Sequence, residues 1–335
     1  MRIETPMRIE TDVTRLLGID LPIIQAGMSW ASSNAALPLA VSAAGGLGVI
    51  AAGPMYAHDL AAAIDAVRAG TDRPFAVNLP LYRKGADEIM DLLVEKRVPV
   101  LIASQGGPKR YLERFKAIGT VCLHVVAGAE HAAKAAAVGV DGLIAVGGEA
   151  GGHPPPDLVS TLVLGRAIVR AVPGVPLILS GGFADGYGLA AALALGAGAA
   201  QFGTRFMLSC EARLHAAYSR RLLSASVTDT MVVGHGIGMI RILRNDFGER
   251  MGAAEAEGRQ LEERKALFAA ASLKAAAFDG DVENGKVEAG QSAGLVNDIL
   301  PAADIVAAIA RDYAAALAAL PRPMTRSHEG LSHAG

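Results

Sequence analysis

The sequence predicts an α/β fold, a (β/α)8 barrel with a mostly helical insertion after the eighth strand. Eight short apolar runs follow one another between residues 22 and 206, and amphipathic or alanine-rich segments separate them. The runs are almost continuously hydrophobic, which is typical of parallel strands covered by helices. Eight repeats of strand and helix match a closed barrel, and an open doubly wound sheet is the alternative.

The predicted strands, in chain order, are PIIQAGM (22–28), LGVIAA (47–52), FAVNLPL (75–81), VPVLIAS (98–104), TVCLHVV (120–126), GLIAVG (142–147), PLILSGG (176–182) and AAQFGTRF (199–206). The predicted helices cover about 33–44, 57–69, 85–96, 106–118, 129–138, 157–171, 185–195 and 210–224. Gly45, Gly46 and Gly139 stand where helices commonly end.

The repeat breaks between residues 225 and 300, where a glycine-rich basic piece (234–246) precedes a charged helical run at about 249–275. We interpret 225–300 as an insertion or lid over the mouth of a barrel made of 12–224 and a final helix at 301–319. Residues 1–11 form an N-terminal extension in which MRIET occurs twice, and residues 320–335 are predicted to be a disordered tail.

The composition bears on which partners, which compartment and which relation to a membrane are expected. The 335 residues are 52% hydrophobic and carry a formal charge of −2, with no long basic run, so no nucleic-acid partner is expected. Cys122 and Cys210 lie far apart and predict neither a disulfide nor a metal site, which favours a cytoplasmic protein. The uncharged stretch 186–204 is interrupted by glycines and predicts no membrane segment. Alanine-rich helix faces are compatible with a homodimer.

Two glycine-containing strand ends predict a phosphate site. Active sites of such barrels lie at the carboxyl ends of the strands, and phosphates often bind after strands 7 and 8. Gly181–Gly182 and Gly203–Thr204 follow these predicted strands and would offer backbone N–H groups, although ordinary tight turns are the alternative. No strand end carries a Schiff-base lysine or an Asp/His metal cluster, so we expect a cofactor to supply the reactivity.

The stretch EAGGHPPP (149–156) places His153 on the loop after predicted strand 6. The preceding glycines allow a tight turn, and Pro154 holds His153 in extended geometry. An imidazole with an ordinary pKa near 6.5 suits proton transfer at neutral pH. An exposed or structural histidine is the alternative.

Several blocks together resemble one family. They are PIIQAGMSWASSNAALPLAVSAAGGLGVIAAG, RPFAVNL, GGEAGGH, SGGFADGYGLAAALALGA, GTRF and VEAGQSAGLV, spread over about residues 9–320. They resemble the 2-nitropropane dioxygenase/nitronate monooxygenase family, FMN-binding TIM barrels whose superfamily also holds FMN-dependent enoyl-ACP reductases and NADH:quinone reductases.

The resemblance implies a role for individual residues. Main-chain atoms of Ala26, Gly27 and Met28 would line the flavin, and Asn78 would contact it. The phosphate region of FMN would be held by Ser180, Gly181, Gly182, Gly203 and Thr204, and Gly151 and Gly152 would let their loop pass close to the flavin. His153 would be the catalytic base or anion-binding residue. Trp30, His235 and Gln291 are substrate-site candidates, with packing, an exposed lid surface and a turn as their respective alternatives.

The resemblance favours oxidation of alkyl nitronates by O2. The alternatives are an NAD(P)H-dependent reductase of enoyl thioesters or of quinones, a flavin-binding barrel without turnover, and a flavin-free sugar-phosphate isomerase. Val125 stands where quinone-reductase-like relatives carry a lysine, and the absence of that lysine counts against the quinone reductase function. The blocks at 78–104 and 280–296 are at least as similar to the enoyl reductases, and the three prolines after His153 are unusual.

Overall fold

Eight parallel strands form a barrel in the computed structural model, which describes residues 7–321. They are β1 (Ile23–Gln25), β2 (Gly48–Ala51), β3 (Phe75–Pro80), β4 (Val100–Ser104), β5 (Val121–Val126), β6 (Gly142–Val146), β7 (Leu177–Ser180) and β8 (Ala199–Phe202). From β2 to β8 each strand pairs with the next one along the chain, and β1 pairs with β8. This order confirms the (β/α)8 barrel and excludes the open doubly wound sheet. The predictions for residues 1–6 and 322–335 fall outside the described residues.

One helix, α1, precedes β1, and the others follow the strands around the outside of the barrel. They are α1 (Asp12–Leu17), α2 (Ala36–Ala43), α3 (Ala57–Gly70), α4 (Ala86–Glu95), α5 (Leu112–Lys116), α6 (Ala129–Val138), α7 (Thr161–Ala171), α8 (Gly186–Ala194), α9 (Thr204–Met207) and α10 (Ala216–Leu223). The helix predicted over 106–118 is broken, because Pro108 starts a separate 3-10 turn at Pro108–Arg110. The helix predicted from 157 begins at Thr161, where the Ser160 hydroxyl accepts the Val163 N–H.

The interior of the barrel is an aliphatic core that is closed at one end. Side chains such as Ile24, Val100 and Ile178 fill it, and Val13 and Leu17 of α1 pack into the same cluster. Because α1 covers the amino-terminal end of the strands, the barrel offers its carboxyl end for a site.

The join between β1 and β2 is the least paired part of the barrel. Its ladder is a bridge between Ile24 and Leu47. The buried side-chain amide of Gln25 adds two hydrogen bonds: its Nε2 donates to the Val49 carbonyl at 3.1 Å, and its Oε1 accepts the Val49 N–H at 2.9 Å. A side chain thus completes the closure of the sheet.

The insertion contains a hairpin as well as helices. Its elements are β9 (Thr230–Val233), β10 (Ile240–Leu243), α11 (Asp246–Ala256), α12 (Leu261–Ala270) and α13 (Leu273–Ala277), followed by a 3-10 helix at Gln291–Leu295. The antiparallel β9–β10 pair was not predicted from the sequence. The last helix, α14 (Ala302–Ala319), packs against α8 and α2. Within residues 7–321, no helix is long and apolar enough to cross a membrane.

Candidate active site

A cavity of about 620 Å³ opens at the carboxyl ends of the barrel strands. It gathers residues that are far apart in the sequence. Its lining includes every residue predicted to bind the cofactor: Ala26, Gly27, Met28, Asn78, Gly151, Gly152, Ser180, Gly181, Gly182, Gly203 and Thr204. The structure therefore brings these residues together, and their roles as ligands stay a prediction.

The loops after β7 and β8 present backbone donors to this cavity. Gly181 and Gly182 have φ values of 112° and 81°, a region that favours glycine. In the described part of the chain, the N–H groups of Gly181, Gly182, Gly203 and Thr204 have no protein acceptor. The Thr204 hydroxyl accepts the Gly290 N–H at 3.0 Å and keeps its own proton for a ligand. Four free amides and a hydroxyl suit a phosphate group.

The helix after β7 does not add to these donors. The Asp185 side chain caps α8 by accepting the Gly188 N–H at 3.0 Å, so a carboxylate occupies the start of that helix. The anion-binding character of this corner therefore comes from the loop amides and not from α8.

The end of β1 approaches β3 closely. A Cβ on Gly27 would lie 2.6 Å from the Asn78 Cβ, so glycine is needed for this contact. The Asn78 Nδ2 donates to the Ile102 carbonyl at 3.1 Å, which fixes the amide at the cavity wall. Trp30 also lines the cavity and has a φ of 70°, a strained value for a bulky side chain.

The loop that carries His153 is held on two sides. Glu149 accepts hydrogen bonds from the Thr161 N–H at 2.9 Å and from its hydroxyl at 2.8 Å, which ties the loop to α7. The buried Arg241 guanidinium of β10 donates twice to the Gly148 carbonyl, at 2.7 and 3.2 Å. His153 follows this anchored segment directly.

A second cavity, of about 980 Å³, adjoins the first at His153, which lines both. Valine side chains of β5 and β6, Ile237 and Met239 give it apolar walls, and Pro154–Pro156 form part of its boundary. Lys109, Lys134 and His131 also lie on its lining. The unusual prolines after His153 therefore shape a cavity beside the barrel mouth.

His153 is an exposed residue that lines both cavities. Desolvation by the surrounding protein lowers the pKa of His153 below its ordinary value, and the nearby Lys286 lowers it further. The imidazole is therefore neutral at pH 7, and its N–H can donate a hydrogen bond without a charge.

The substrate-site candidates separate in space. Trp30 lines the first cavity, whereas His235 lines the second and pairs with Glu255 at 2.9 Å. Gln291 lines neither cavity, and its backbone N–H donates to the Glu149 carbonyl at 3.0 Å. Its neighbours Gly290 and Ser292 reach the first cavity instead.

Sequence reasoning missed Glu288, which lines the first cavity between β10 and the His153 loop. Burial raises the pKa of the Glu288 carboxyl to about 7. Glu288 lies in the block VEAGQSAG, which carries part of the family resemblance. It was not predicted as a site residue because a glutamate beside a glycine turn is typical of a solvated loop. Among residues 7–321, no cluster of three or more potential metal ligands is found.

Comparison with known proteins agrees with this fold. The family model for nitronate monooxygenase matches residues 10–91 and 85–312. The chain is 34% identical to a (3aS,4S,5R,7aS)-5-hydroxy-7a-methyl-1-oxo-octahydro-1H-indene-4-carboxyl-CoA dehydrogenase of Mycobacterium tuberculosis, over 91% of this chain and 96% of that protein. It is 32% identical to a nitronate monooxygenase of Paraburkholderia phytofirmans, over 89% of this chain and 93% of that protein.

A solved structure is similar over the same length. FabK from Thermotoga maritima shares 39% of its sequence with this chain, with a TM-score of 0.87 over 92% of this chain and 98% of the other. The fold and relatives define an oxidoreductase built on a (β/α)8 barrel. The chain belongs to the nitronate monooxygenase family.

Proposed function

We propose that the protein is an FMN-dependent oxidoreductase that acts on the acyl group of a thioester. The second cavity carries this proposal, because about 980 Å³ of largely apolar space adjoins the first cavity at His153. A nitronate of a few heavy atoms would fill a small part of it. An acyl chain with a phosphorylated carrier arm has the size for it, and the basic groups on its lining suit the phosphate.

The names of similar proteins are a second, independent support for a thioester substrate. The similar protein of Mycobacterium tuberculosis is named a dehydrogenase of a carboxyl-CoA, which is a thioester. The sequence blocks also resemble the enoyl-ACP reductases, whose substrates carry the same functional group. We extend this substrate class to the present chain.

The first cavity fits FMN. The free amides of Gly181, Gly182, Gly203 and Thr204 would hold the phosphate, and the Ala26–Met28 turn with Asn78 would border the ring. When bound, FMN supplies reversible two-electron chemistry, with NAD(P)H as the electron donor in the reductive direction. His153, neutral at pH 7, would donate a hydrogen bond to the thioester oxygen.

Nitronate monooxygenase is the second candidate function. The match of the family model over most of the chain and the similarity to the Paraburkholderia phytofirmans protein favour it. In this reaction His153 would bind the nitronate anion or take the α-proton of a nitroalkane, and O2 would be the oxidant. A substrate as small as a nitronate does not explain the size of the second cavity.

Anaerobic mixing of the FMN-loaded protein distinguishes the two functions. We expect NADPH to bleach the flavin absorbance and crotonyl-CoA to restore it. Propyl nitronate added without nucleotide is the matched probe for the second candidate. Bleaching by the nitronate, with no recovery on adding any enoyl thioester after NADPH, would reject the thioester proposal.

A further inference from the structure

Glu288 is held next to the His153 loop by adjacent positions of one strand. On β10, Arg241 forms an antiparallel bridge with Gly152, and Ile242 forms one with Glu288. The Arg241 N–H donates to the Gly152 carbonyl at 2.7 Å, and the Arg241 carbonyl accepts the Gly152 N–H at 3.2 Å. The residue before His153 and the glutamate are therefore aligned by the same short strand.

The carboxyl of Glu288 faces the first cavity without a partner. A Cβ on Gly152 would lie 3.1 Å from the Glu288 Oε2, so the carboxyl points at the loop that carries His153. Its backbone carbonyl accepts the Tyr218 hydroxyl at 2.6 Å. No side-chain or backbone donor of residues 7–321 reaches its carboxyl oxygens, and these oxygens keep accessible surface in the cavity. This arrangement leaves both oxygens available to a bound substrate.

Lys286, whose charge opposes the rise in the pKa of Glu288, makes its contact elsewhere. The Lys286 Nζ lies 3.5 Å from the centre of the Phe268 ring, a cation–π contact, and makes no ion pair with Glu288 within 4 Å. The charged or titratable groups on the elements that pack around Glu288 are Lys286 on its own segment, Glu149 and His153 in the loop after β6, Tyr218 on α10, Arg241 on β10 and Lys274 on α13.

The pKa values of Glu288 and His153 are shifted from their ordinary values in opposite directions. Burial raises the pKa of Glu288 to about 7, with Lys286 as a smaller opposing influence, while burial lowers the pKa of His153. Near neutral pH the carboxyl can therefore hold a proton while the imidazole is neutral. Two groups whose pKa values are shifted in opposite directions by their environments are suited to separate acid and base roles.

We propose that Glu288 is a catalytic residue that exchanges the α-proton of the bound acyl group, while His153 holds the thioester oxygen. This inference rests on the proposed function. In the step, the Cα–H bond breaks, the proton passes to the Glu288 carboxylate, and the electron pair moves onto the carbonyl oxygen to give an enolate. The N–H of neutral His153 hydrogen-bonds that oxygen. The step consumes no oxidant and no reductant, and its reverse delivers the proton to Cα.

Hydrogen exchange tests this step without turnover. The FMN-loaded full-length protein is incubated with butanoyl-CoA in D2O, and deuterium at Cα is followed by mass spectrometry. We expect exchange to rise with pH as the carboxyl ionises at about pH 7. Glu288→Gln should slow it by about 10²-fold or more and remove this pH dependence, and Glu288→Asp should restore part of the rate. Glu283→Gln, which alters an exposed carboxylate nearby, should have no effect.

A second measurement needs neither substrate nor flavin. The infrared band of a protonated carboxyl should disappear from the protein between about pH 6 and pH 8 and be absent from Glu288→Gln. A carboxyl that is ionised throughout this range would overturn the inference, and so would exchange in Glu288→Gln within about twofold of the unaltered protein.

If the proposed thioester function is wrong, the exchange results differ from those expected if only the role of Glu288 is wrong. The same exchange measurement with nitroethane, whose α-proton is also acidic, serves as the comparison. Exchange into nitroethane but not into butanoyl-CoA would reject the thioester function, and it would equally reject the thioester step assigned to Glu288. Exchange into butanoyl-CoA that Glu288→Gln leaves unchanged would reject the role of Glu288 alone.

Discussion

Gly151 is glycine for a steric reason that involves a distant part of the chain. A Cβ at this position would lie 2.4 Å from the carbonyl carbon of Ala289 and 2.5 Å from the Gly290 nitrogen. Both are backbone atoms and cannot rotate away. The φ of Gly151 is not in the left-handed region, so alanine would be excluded by contact and not by backbone strain. The AGG stretch before His153 and the AGQ stretch after Glu288 therefore fit each other.

Gly151→Ala should reduce both stability and activity. The added methyl group pushes the His153 loop away from the Glu288 segment, and overpacking of this kind costs about 1–3 kcal/mol. Gly128→Ala is the control, because that glycine lines neither cavity, has a φ of −173° and its Cβ would meet no atom within 4 Å. Urea unfolding and steady-state kinetics measure the two effects. Equal behaviour of the two variants would contradict the steric account.

The sequence pointed to His153 and not to Glu288, and the difference is physical. A histidine between glycines and prolines after a predicted strand end is visible in local sequence. The environment of Glu288 exists because the insertion folds back onto the barrel mouth, and no local pattern encodes this long-range packing. The residues at the ends of β1, β3, β7 and β8 were predictable because barrel topology alone brings strand ends together.

At the level of elements, β10 links the insertion to the barrel. It pairs with β9 on one side, and its Arg241 and Ile242 contact the two segments that carry His153 and Glu288. The eight barrel strands were predictable from their apolar runs, whereas this hairpin was not. Its strands are four residues long, and the six residues between them lack a two-residue turn signal such as Asn-Gly.

Arg241→Lys should loosen the His153 loop. An ammonium group cannot reproduce the two bonds that Nε and Nη2 donate to the Gly148 carbonyl together with the bond to the Thr230 hydroxyl at 2.9 Å. We expect a loss of about 1–3 kcal/mol in unfolding free energy and a reduced kcat. Arg244→Lys is the control on the same hairpin, since Arg244 is 54% exposed and pairs with Glu249 at the surface. A kcat that falls no further in Arg241→Lys than in this control would show that the loop does not depend on the guanidinium.

At the level of the whole molecule, one buried side chain takes part in closing the barrel. Sequence patterning predicted that β1 and β2 exist, but it could not show how they join, because the partner of a buried amide depends on how the two strands pack and not on local sequence. Gln25 is fully buried and occupies a place where aliphatic residues would otherwise be expected. Its amide supplies the two hydrogen bonds that the short β1–β2 ladder lacks, and it directly precedes the Ala26–Met28 turn of the first cavity.

Gln25→Met should therefore destabilise the whole barrel. Methionine keeps the shape of the side chain but leaves the N–H and C=O of Val49 without these partners, at a cost of about 2–5 kcal/mol. Gln260→Met, at an exposed position of the insertion, is the matched control and should change the unfolding free energy by about 0.5 kcal/mol or less. Because Gln25 positions the turn that would border the flavin ring, FMN affinity should fall together with stability. A Gln25→Met protein with unaltered denaturation and FMN binding would show that the backbone ladder alone closes the barrel.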